Sequence, residues 1–130
     1  MALTGLVGSN PTPSANSMKI INDKITIAEL KELSERMFGN FVKAVIDIEK
    51  EIVAVDAELH VDLEQLLIEN GSEPNNLWGI NIYPEVGKDK FIEFDSMINL
   101  KPSLGNRTRG IDKEEIREKI ISIVNKVVDK

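Results

Sequence analysis

The sequence predicts an α+β fold with two layers, in which helices cover one face of a mainly antiparallel sheet. Three observations support this prediction. Short runs of β-branched residues alternate with helical periodicities, two pairs of these runs are separated by short polar segments, and helix starts have capping signals. The predicted order is β-α-β-β-α-β-β-α. With 130 residues, 42% of them hydrophobic and 29% charged, the chain is sized for one globular domain.

The first strand and the first helix are predicted near the start of this domain. Lys19-Ile20-Ile21 is typical of an edge strand. Thr26 and Glu29 have the spacing of a capping box, which satisfies amides left unpaired at a helix start. The helix is predicted to end at Gly39, and its buried face has residues at spacings of three and four: Ile27, Leu30, Leu33 and Met37.

Two β-rich segments follow, at residues 41–48 and 52–56. The short charged turn Glu49-Lys50 between them predicts an antiparallel hairpin. A second helix is predicted to begin with Asp62 as its N-cap and to end at Gly71, with leucines on its inner side: Leu63, Leu66 and Leu67.

A second strand pair and a final helix complete the predicted order. Residues 77–83 and 91–100 are the predicted strands, and residues 84–90 form the loop between them. The last helix is predicted to begin at Asp112 and to bury an apolar stripe: Ile116, Ile120, Ile123, Val124 and Val127.

The first 17 residues are predicted to stand apart from the globular domain, which spans residues 18–130. They contain no charged side chain and no apolar period. Gly8-Ser9-Asn10-Pro11 is what the T-arm of a transfer-RNA gene encodes when it is translated, so we interpret the segment as a non-native leader before Met18. A genuine disordered tail is the alternative.

Composition excludes several function classes. The chain has no cysteine, which excludes disulfides, thiol nucleophiles and Cys-based metal sites and favours a reducing, cytoplasmic compartment. No apolar run approaches the roughly 20 residues that span a bilayer, so we expect no membrane partner. The net charge of −6, with one Trp and one Tyr, argues against nucleic-acid binding. No cofactor is implied.

The strongest candidate for a functional surface is the basic loop, residues 101–110. It holds Lys101, Arg107 and Arg109 but no acidic residue, and two glycines free its backbone. Arginines two residues apart can form a bidentate clamp on phosphate or carboxylate. The loop is therefore predicted to bind a small anion, with two amides as further ligand-binding candidates: Asn99 and Asn106.

The alternative for this loop is structural, with its arginines tied to acidic groups such as Glu93 or Asp95. Charge is unevenly divided along the chain. Residues 18–100 hold 8 basic and 17 acidic side chains, and residues 101–130 hold 8 basic and 5 acidic ones. Such an asymmetry can organise self-association, with a homodimer as one outcome, or it can steer a charged partner.

The single histidine lies in the segment Glu58-Leu-His-Val-Asp62. In an extended backbone Glu58, His60 and Asp62 project to the same side, as a general-base pair or a mixed metal site requires. The structural alternative is that Asp62 caps the following helix and that Glu58 orients the imidazole. These three residues are the catalytic candidates.

A weaker candidate for metal binding is the pair Glu93 and Asp95, because carboxylates two residues apart in a strand can hold a divalent cation. With Asn81 and Tyr83 on the neighbouring strand they form a polar face. Solvent exposure is the commoner cause of such a face. We therefore predict no metal site.

Six segments of the domain serve as motifs: Asp47-Ile-Glu49, Glu58-Leu-His60, Leu77-Trp-Gly79, Asn81-Ile-Tyr-Pro84, Glu93-Phe-Asp-Ser-Met-Ile-Asn99 and Pro102-Ser-Leu-Gly-Asn-Arg107. Together they resemble an uncharacterised family of small prokaryotic α+β proteins, a domain of unknown function, over about residues 18–130. The resemblance implies no activity, and no catalytic residue follows from it.

Two functions stay open. The first is a non-catalytic binding or regulatory module that recognises a small anion through Lys101, Arg107 and Arg109. The alternative is a small, phosphoesterase-like hydrolase, with His60 as acid or base and Arg107 as the phosphate clamp. The chain shows no nucleophile motif, which favours the binding module. The sequence does not decide whether the protein is an enzyme.

Overall fold

A computed structural model describes residues 18–87 and 90–129, so the predicted leader over residues 1–17 lies outside the described residues. The α+β class and the mainly antiparallel sheet are confirmed. None of the described helices has the length and apolar character that a bilayer span requires. In chain order the elements are β1 (Lys19–Ile21), β2 (Ile25–Thr26), α1 (Ile27–Met37), β3 (Val42–Asp47), β4 (Ile52–Val55), α2 (His60–Glu69), β5 (Leu77–Ile82), β6 (Ile92–Glu93), α3 (Glu114–Val127) and β7 (Val128–Asp129).

Five strands form one sheet in the order β1-β4-β3-β5-β6, and every neighbouring pair is antiparallel. Strand β3 is central and pairs with β5 from Val42 opposite Ile82 to Asp47 opposite Leu77. Both predicted strand pairs, β3–β4 and β5–β6, are present. A separate parallel pair joins β2 to β7.

Helices cover both faces of this sheet, which gives three layers where the sequence predicted two layers with all helices on one face. Alternate residues of β3 show why. Val42, Ala44 and Ile46 pack with α1 and α3, whereas Val45 packs with α2 on the opposite face. A nearly continuous apolar run is typical of a strand that is buried on both sides. Helix α2 supplies the second cover.

The start of α1 agrees with its predicted capping box. The Glu29 N–H donates to Thr26 Oγ1 at 3.0 Å, and the Thr26 N–H donates to Glu29 Oε1 at 3.0 Å. These reciprocal bonds satisfy two amides that the helix cannot pair internally. Gly39, just beyond the helix, has a φ of +94°, a left-handed conformation that favours glycine.

Two helices begin at residues other than those predicted. Helix α2 begins at His60 with Leu59 at its N-cap, so Asp62 lies inside the first turn and does not cap it. Helix α3 begins at Glu114. The Asp112 carboxylate bonds the end of the basic loop instead of the helix start.

The strand predicted over residues 91–100 is much shorter, because only Ile92–Glu93 pairs with β5. The chain then forms a single 3-10 turn at Met97–Asn99. Asn99 fixes the position of the chain after it leaves the sheet at the end of β6. Its Oδ1 accepts the Gly79 N–H at 2.8 Å, and its Nδ2 donates to the Gly79 carbonyl at 3.0 Å. Residues 96–99 therefore lie against the α2 side of β5.

Candidate functional site

A pocket of about 380 Å³ opens on the α2 side of the sheet, between the start of α2 and residues 93–98. Its floor is a row of three side chains from neighbouring strands, since Lys43 on β3 pairs with Asn81 on β5 and Asn81 pairs with Glu93 on β6. The remaining lining residues are Phe41, Leu59, His60, Val61, Asp95, Ser96, Met97, Ile98 and Arg109.

Gly79 allows the two walls of this pocket to approach the sheet. A Cβ atom at this position would lie 2.6 Å from Ser96 Cβ and Oγ and 3.2 Å from His60 Cδ2. Contacts of 2.6 Å are sterically forbidden, so a side chain here would displace residues 96–99. Close approach of another segment is one reason for glycine within a strand.

His60 is buried at the first position of α2, where its Nε2 lies 2.8 Å from the Ile80 carbonyl oxygen. A carbonyl only accepts, so Nε2 carries the proton and Nδ1 is an acceptor. Burial lowers the pKa of His60, and the positive charges of Lys43 and Arg109 act in the same direction. The Ile80 bond and Asp95 oppose that shift. The imidazole is therefore neutral at neutral pH.

The predicted grouping of His60 with two carboxylates does not form. Glu58 and Asp62 are exposed, and among the described residues the hydrogen bond of the imidazole is to the Ile80 carbonyl. The helix start at His60 separates Asp62 from the imidazole, because residues two apart on a helix point about 200° away from each other, and Glu58 lies before the helix. Neither carboxylate assists His60.

Arg109 is the one cation of the basic loop that lines the pocket. Its Nε donates to Asp95 Oδ1 at 2.7 Å, which is the ion pair that the structural alternative predicted. Among residues 18–87 and 90–129, its two terminal Nη atoms make no hydrogen bond. Asp95 therefore orients the guanidinium while the Nη edge keeps donors for an anion.

The other cations of the loop have separate surroundings. Lys101 Nζ donates to the Pro74 carbonyl at 3.1 Å and lies 5.3 Å from the Trp78 ring centroid. Burial lowers the pKa of Lys101. Arg107 is exposed and lies outside the pocket lining. The predicted single anion site with all three cations is not formed.

The two asparagines predicted to bind ligand, Asn99 and Asn106, are instead bonded to the backbone. Asn106 Nδ2 donates to three carbonyls, those of Asn99, Thr108 and Gly110, at 2.7 to 3.2 Å, and its Oδ1 accepts the Asp112 N–H at 2.8 Å. The Asn99 amide, with no exposed area, bonds the N–H and the carbonyl of Gly79 and also the carbonyl of Arg109. Their polar atoms hold the loop in place, which leaves none for a ligand.

Two buried side-chain atoms of the described residues have no hydrogen-bond partner, Trp78 Nε1 and Asn81 Oδ1, and of these two residues Asn81 lines the pocket. Asn81 is 7% exposed, and its Nδ2 donates to Glu93 Oε1 at 2.9 Å. The Tyr83 hydroxyl donates to the same oxygen at 3.0 Å. Asn81 Oδ1 is buried and has no hydrogen-bond partner in the described part of the chain. A buried acceptor without a donor costs free energy, so such atoms point to a missing partner.

Apolar side chains form the rim of the pocket. Leu59, Val61 and Met97 line it and are each more than half exposed, at 53%, 51% and 61%. Exposed apolar residues clustered around a polar cavity are typical of a binding surface. The sequence patterns indicate a functional role for neither these residues nor Lys43. The one sequence signal that could have identified Lys43 is its charge inside the otherwise apolar residues 42–46 of β3.

A second depression, of about 510 Å³, lies on the far side of Glu93. Its lining residues are exposed or half-exposed: Asn40, Tyr83, Val86, Lys90, Ile92 and Glu93. It encloses none of the buried polar groups that orient a ligand, so the pocket at His60 is the stronger candidate.

The described residues contain no group of three or more His, Asp or Glu side chains placed to hold a metal ion. The weak metal candidates Glu93 and Asp95 bond to other partners, since Glu93 accepts from Asn81 and Tyr83 and Asp95 pairs with Arg109.

The chain matches the family model described as "Protein of unknown function (DUF5674)" over residues 19–127. It belongs to this family. The resemblance seen in the sequence motifs is thereby confirmed, and it still assigns no activity. No curated protein and no solved structure matches the chain.

Proposed function

We propose that this member of the DUF5674 family is a non-catalytic binding module that takes a small anionic ligand in the pocket. The supporting observation is Arg109, which lines the pocket with its Nε held by Asp95 at 2.7 Å and its Nη donors unused by the described residues. A guanidinium oriented in this way matches the two oxygens of a carboxylate or phosphate.

The other lining residues narrow the chemical class of ligand that the pocket can bind. Lys43 adds a second positive charge, and the apolar rim of Leu59, Val61 and Met97 fits a ligand with an apolar part. The volume of about 380 Å³ lies near the lower end of the range for small-molecule pockets. We therefore propose a small carboxylate with an apolar portion.

Isothermal titration with small carboxylates and inorganic phosphate tests this proposal, using Arg109→Gln and the matched control Arg107→Gln. Both arginines are exposed and lie two residues apart, but only Arg109 lines the pocket. We expect Arg109→Gln to weaken binding about 10-fold or more, and Arg107→Gln to bind as the unchanged protein does. Equal losses in both variants would contradict the proposal, as would the absence of any saturable binding.

A hydrolase with His60 as general base is the second candidate. One observation favours it: the imidazole is neutral and lines the pocket, and its Nδ1 makes no hydrogen bond with residues 18–87 or 90–129. Arg109 would then take the role that the sequence assigned to Arg107. An assay with p-nitrophenyl carboxylate and phosphate esters separates the candidates. Turnover that disappears in His60→Gln supports the hydrolase, whereas no turnover supports the binding module.

The proposal also includes a cytoplasmic location and a homodimeric assembly. The absence of cysteine supports a cytoplasmic location, and the uneven charge of the two chain regions supports a homodimer. Light scattering after size exclusion tests the second point. A mass of twice 14.5 kDa that falls toward 14.5 kDa in high salt is the expected result.

A further inference from the structure

We infer that the ligand carries a protonated amine next to its anion, which makes it a small zwitterion of the apolar α-amino-acid class. This inference rests on the proposed function, because it takes Arg109 as the contact for the carboxylate. It adds the amine, which is recognised by Asn81 and Glu93.

The orientation of the Asn81 amide leaves an acceptor toward the pocket. Glu93 Oε1 accepts two donors, the Asn81 Nδ2 at 2.9 Å and the Tyr83 hydroxyl at 3.0 Å. Since Nδ2 faces this carboxylate, Oδ1 is the atom left buried and unpaired. A donor from the ligand would complete its bonding.

Glu93 adds negative charge beside that acceptor. Asn81 and Glu93 are directly paired across β5 and β6, and both line the pocket. The second Glu93 oxygen makes no hydrogen bond to any described residue. An ammonium group has three donors and one positive charge, so it can use Asn81 Oδ1 and this carboxylate together.

The cation and the acceptors line the same pocket. Arg109 is bonded to Asp95, which lies two residues after Glu93. A positive and a negative side chain within one small pocket match an α-amino acid, whose ammonium and carboxylate are attached to the same carbon. The rim of Leu59, Val61 and Met97 then faces an apolar side chain.

Calorimetric titration with three matched compounds tests the inference: leucine, 4-methylpentanoate, which lacks the amine, and leucinamide, which lacks the carboxylate charge. We expect leucine to bind about 10-fold or more tightly than either analogue. Asn81→Leu should abolish the preference for leucine over 4-methylpentanoate while 4-methylpentanoate itself still binds. Glu93→Gln, which keeps the shape of the side chain, should reduce the same preference and serves if Asn81→Leu does not fold.

The outcomes separate the two proposals. If 4-methylpentanoate binds as tightly as leucine and depends on Arg109, the anion site stands and the amine site is overturned. If both Asn81→Leu and Glu93→Gln keep the full preference for leucine, the amine site is also overturned. If none of the three compounds binds, the proposed function itself fails, and this inference fails with it.

Discussion

Two polar regions of this small protein, residues 99–110 and the pocket, are bonded in opposite ways. In residues 99–110, the side-chain amides of Asn99 and Asn106 have their polar atoms bonded to backbone groups. In the pocket, Asn81 Oδ1 has no partner among the described residues. Completed bonds indicate a structural role for Asn99 and Asn106, whereas the unpaired Oδ1 of Asn81 is available to the proposed ligand. The same residue type therefore occurs in both settings.

The largest expected effect on stability comes from Asn99→Ala. The substitution leaves the Gly79 N–H, the Gly79 carbonyl and the Arg109 carbonyl without these bonds in a buried place, so we expect a loss of about 3 kcal/mol in the free energy of unfolding. Urea unfolding measures it. Asn81→Leu is the control, with an expected change of about 1 kcal/mol or less. Similar losses in both variants would remove the distinction between the two regions.

Gly79→Ala comes next, because it acts on the contact between these regions. The added methyl overlaps Ser96 and forces residues 96–99 away from β5, at a cost of about 1–3 kcal/mol. The pocket wall moves with that segment, so ligand affinity should fall as well. Gly87→Ala is the matched control, since a Cβ there meets nothing within 4 Å. Thermal unfolding and titration of both variants make the comparison, and an unchanged Gly79→Ala protein would contradict it.

The pH dependence of stability tests the buried imidazole. Burial lowers the pKa of His60 in the folded state below its ordinary value of 6.5, so the unfolded chain binds the proton more readily. The contribution of His60 is therefore fully present above about pH 6.5 and is lost as the pH falls below that value, by at most about 1.4 kcal/mol per pH unit. Urea midpoints at pH 7.5 and 5.5 should show a steeper loss for the unchanged protein than for His60→Gln. Equal losses of stability in the unchanged protein and in His60→Gln would contradict the lowered pKa of His60.

The smallest expected effect is that of Arg107→Gln on stability. Its side chain is exposed and forms no ion pair within residues 18–87 and 90–129. We therefore expect the free energy of unfolding to change by about 0.5 kcal/mol or less. A larger loss would show that the loop depends on this side chain as well as on its asparagines.

Much of the fold follows from local patterns. The capping box of Thr26 was sufficient to predict the start of α1, and the β-branched runs were sufficient to predict β3 and β4. Both patterns depend on spacings of a few residues. The number of layers could not be predicted in this way, because the same apolar run in β3 fits a strand that is covered by helices on one side or on both. The shortened strand after Phe91 was also missed, since the Asn99–Gly79 bonds join residues 20 apart in the sequence.

The candidate site was predictable as a set of residue types but not as an arrangement. His60, Glu93, Asp95 and Arg109 were singled out from the sequence, and all four line one pocket. The other candidates of the basic loop, Lys101, Asn106 and Arg107, lie outside the pocket lining. Their residue types did not show this, because an asparagine or arginine side chain has the same chemistry in a structural role and in a binding role. What decides the role is which backbone groups lie nearby, and tertiary contacts set that proximity.

The parallel pair of β2 and β7 has a consequence for how the chain assembles. Ile25 lies beside Val128, so the pairing joins the segment that precedes α1 to the segment that follows α3. Closing so long a loop has a large entropic cost before the pairing contributes, so we expect these short strands to join late in folding. The pocket lies on the opposite face of the sheet, under α2. Its walls can therefore form before the ends of the domain meet.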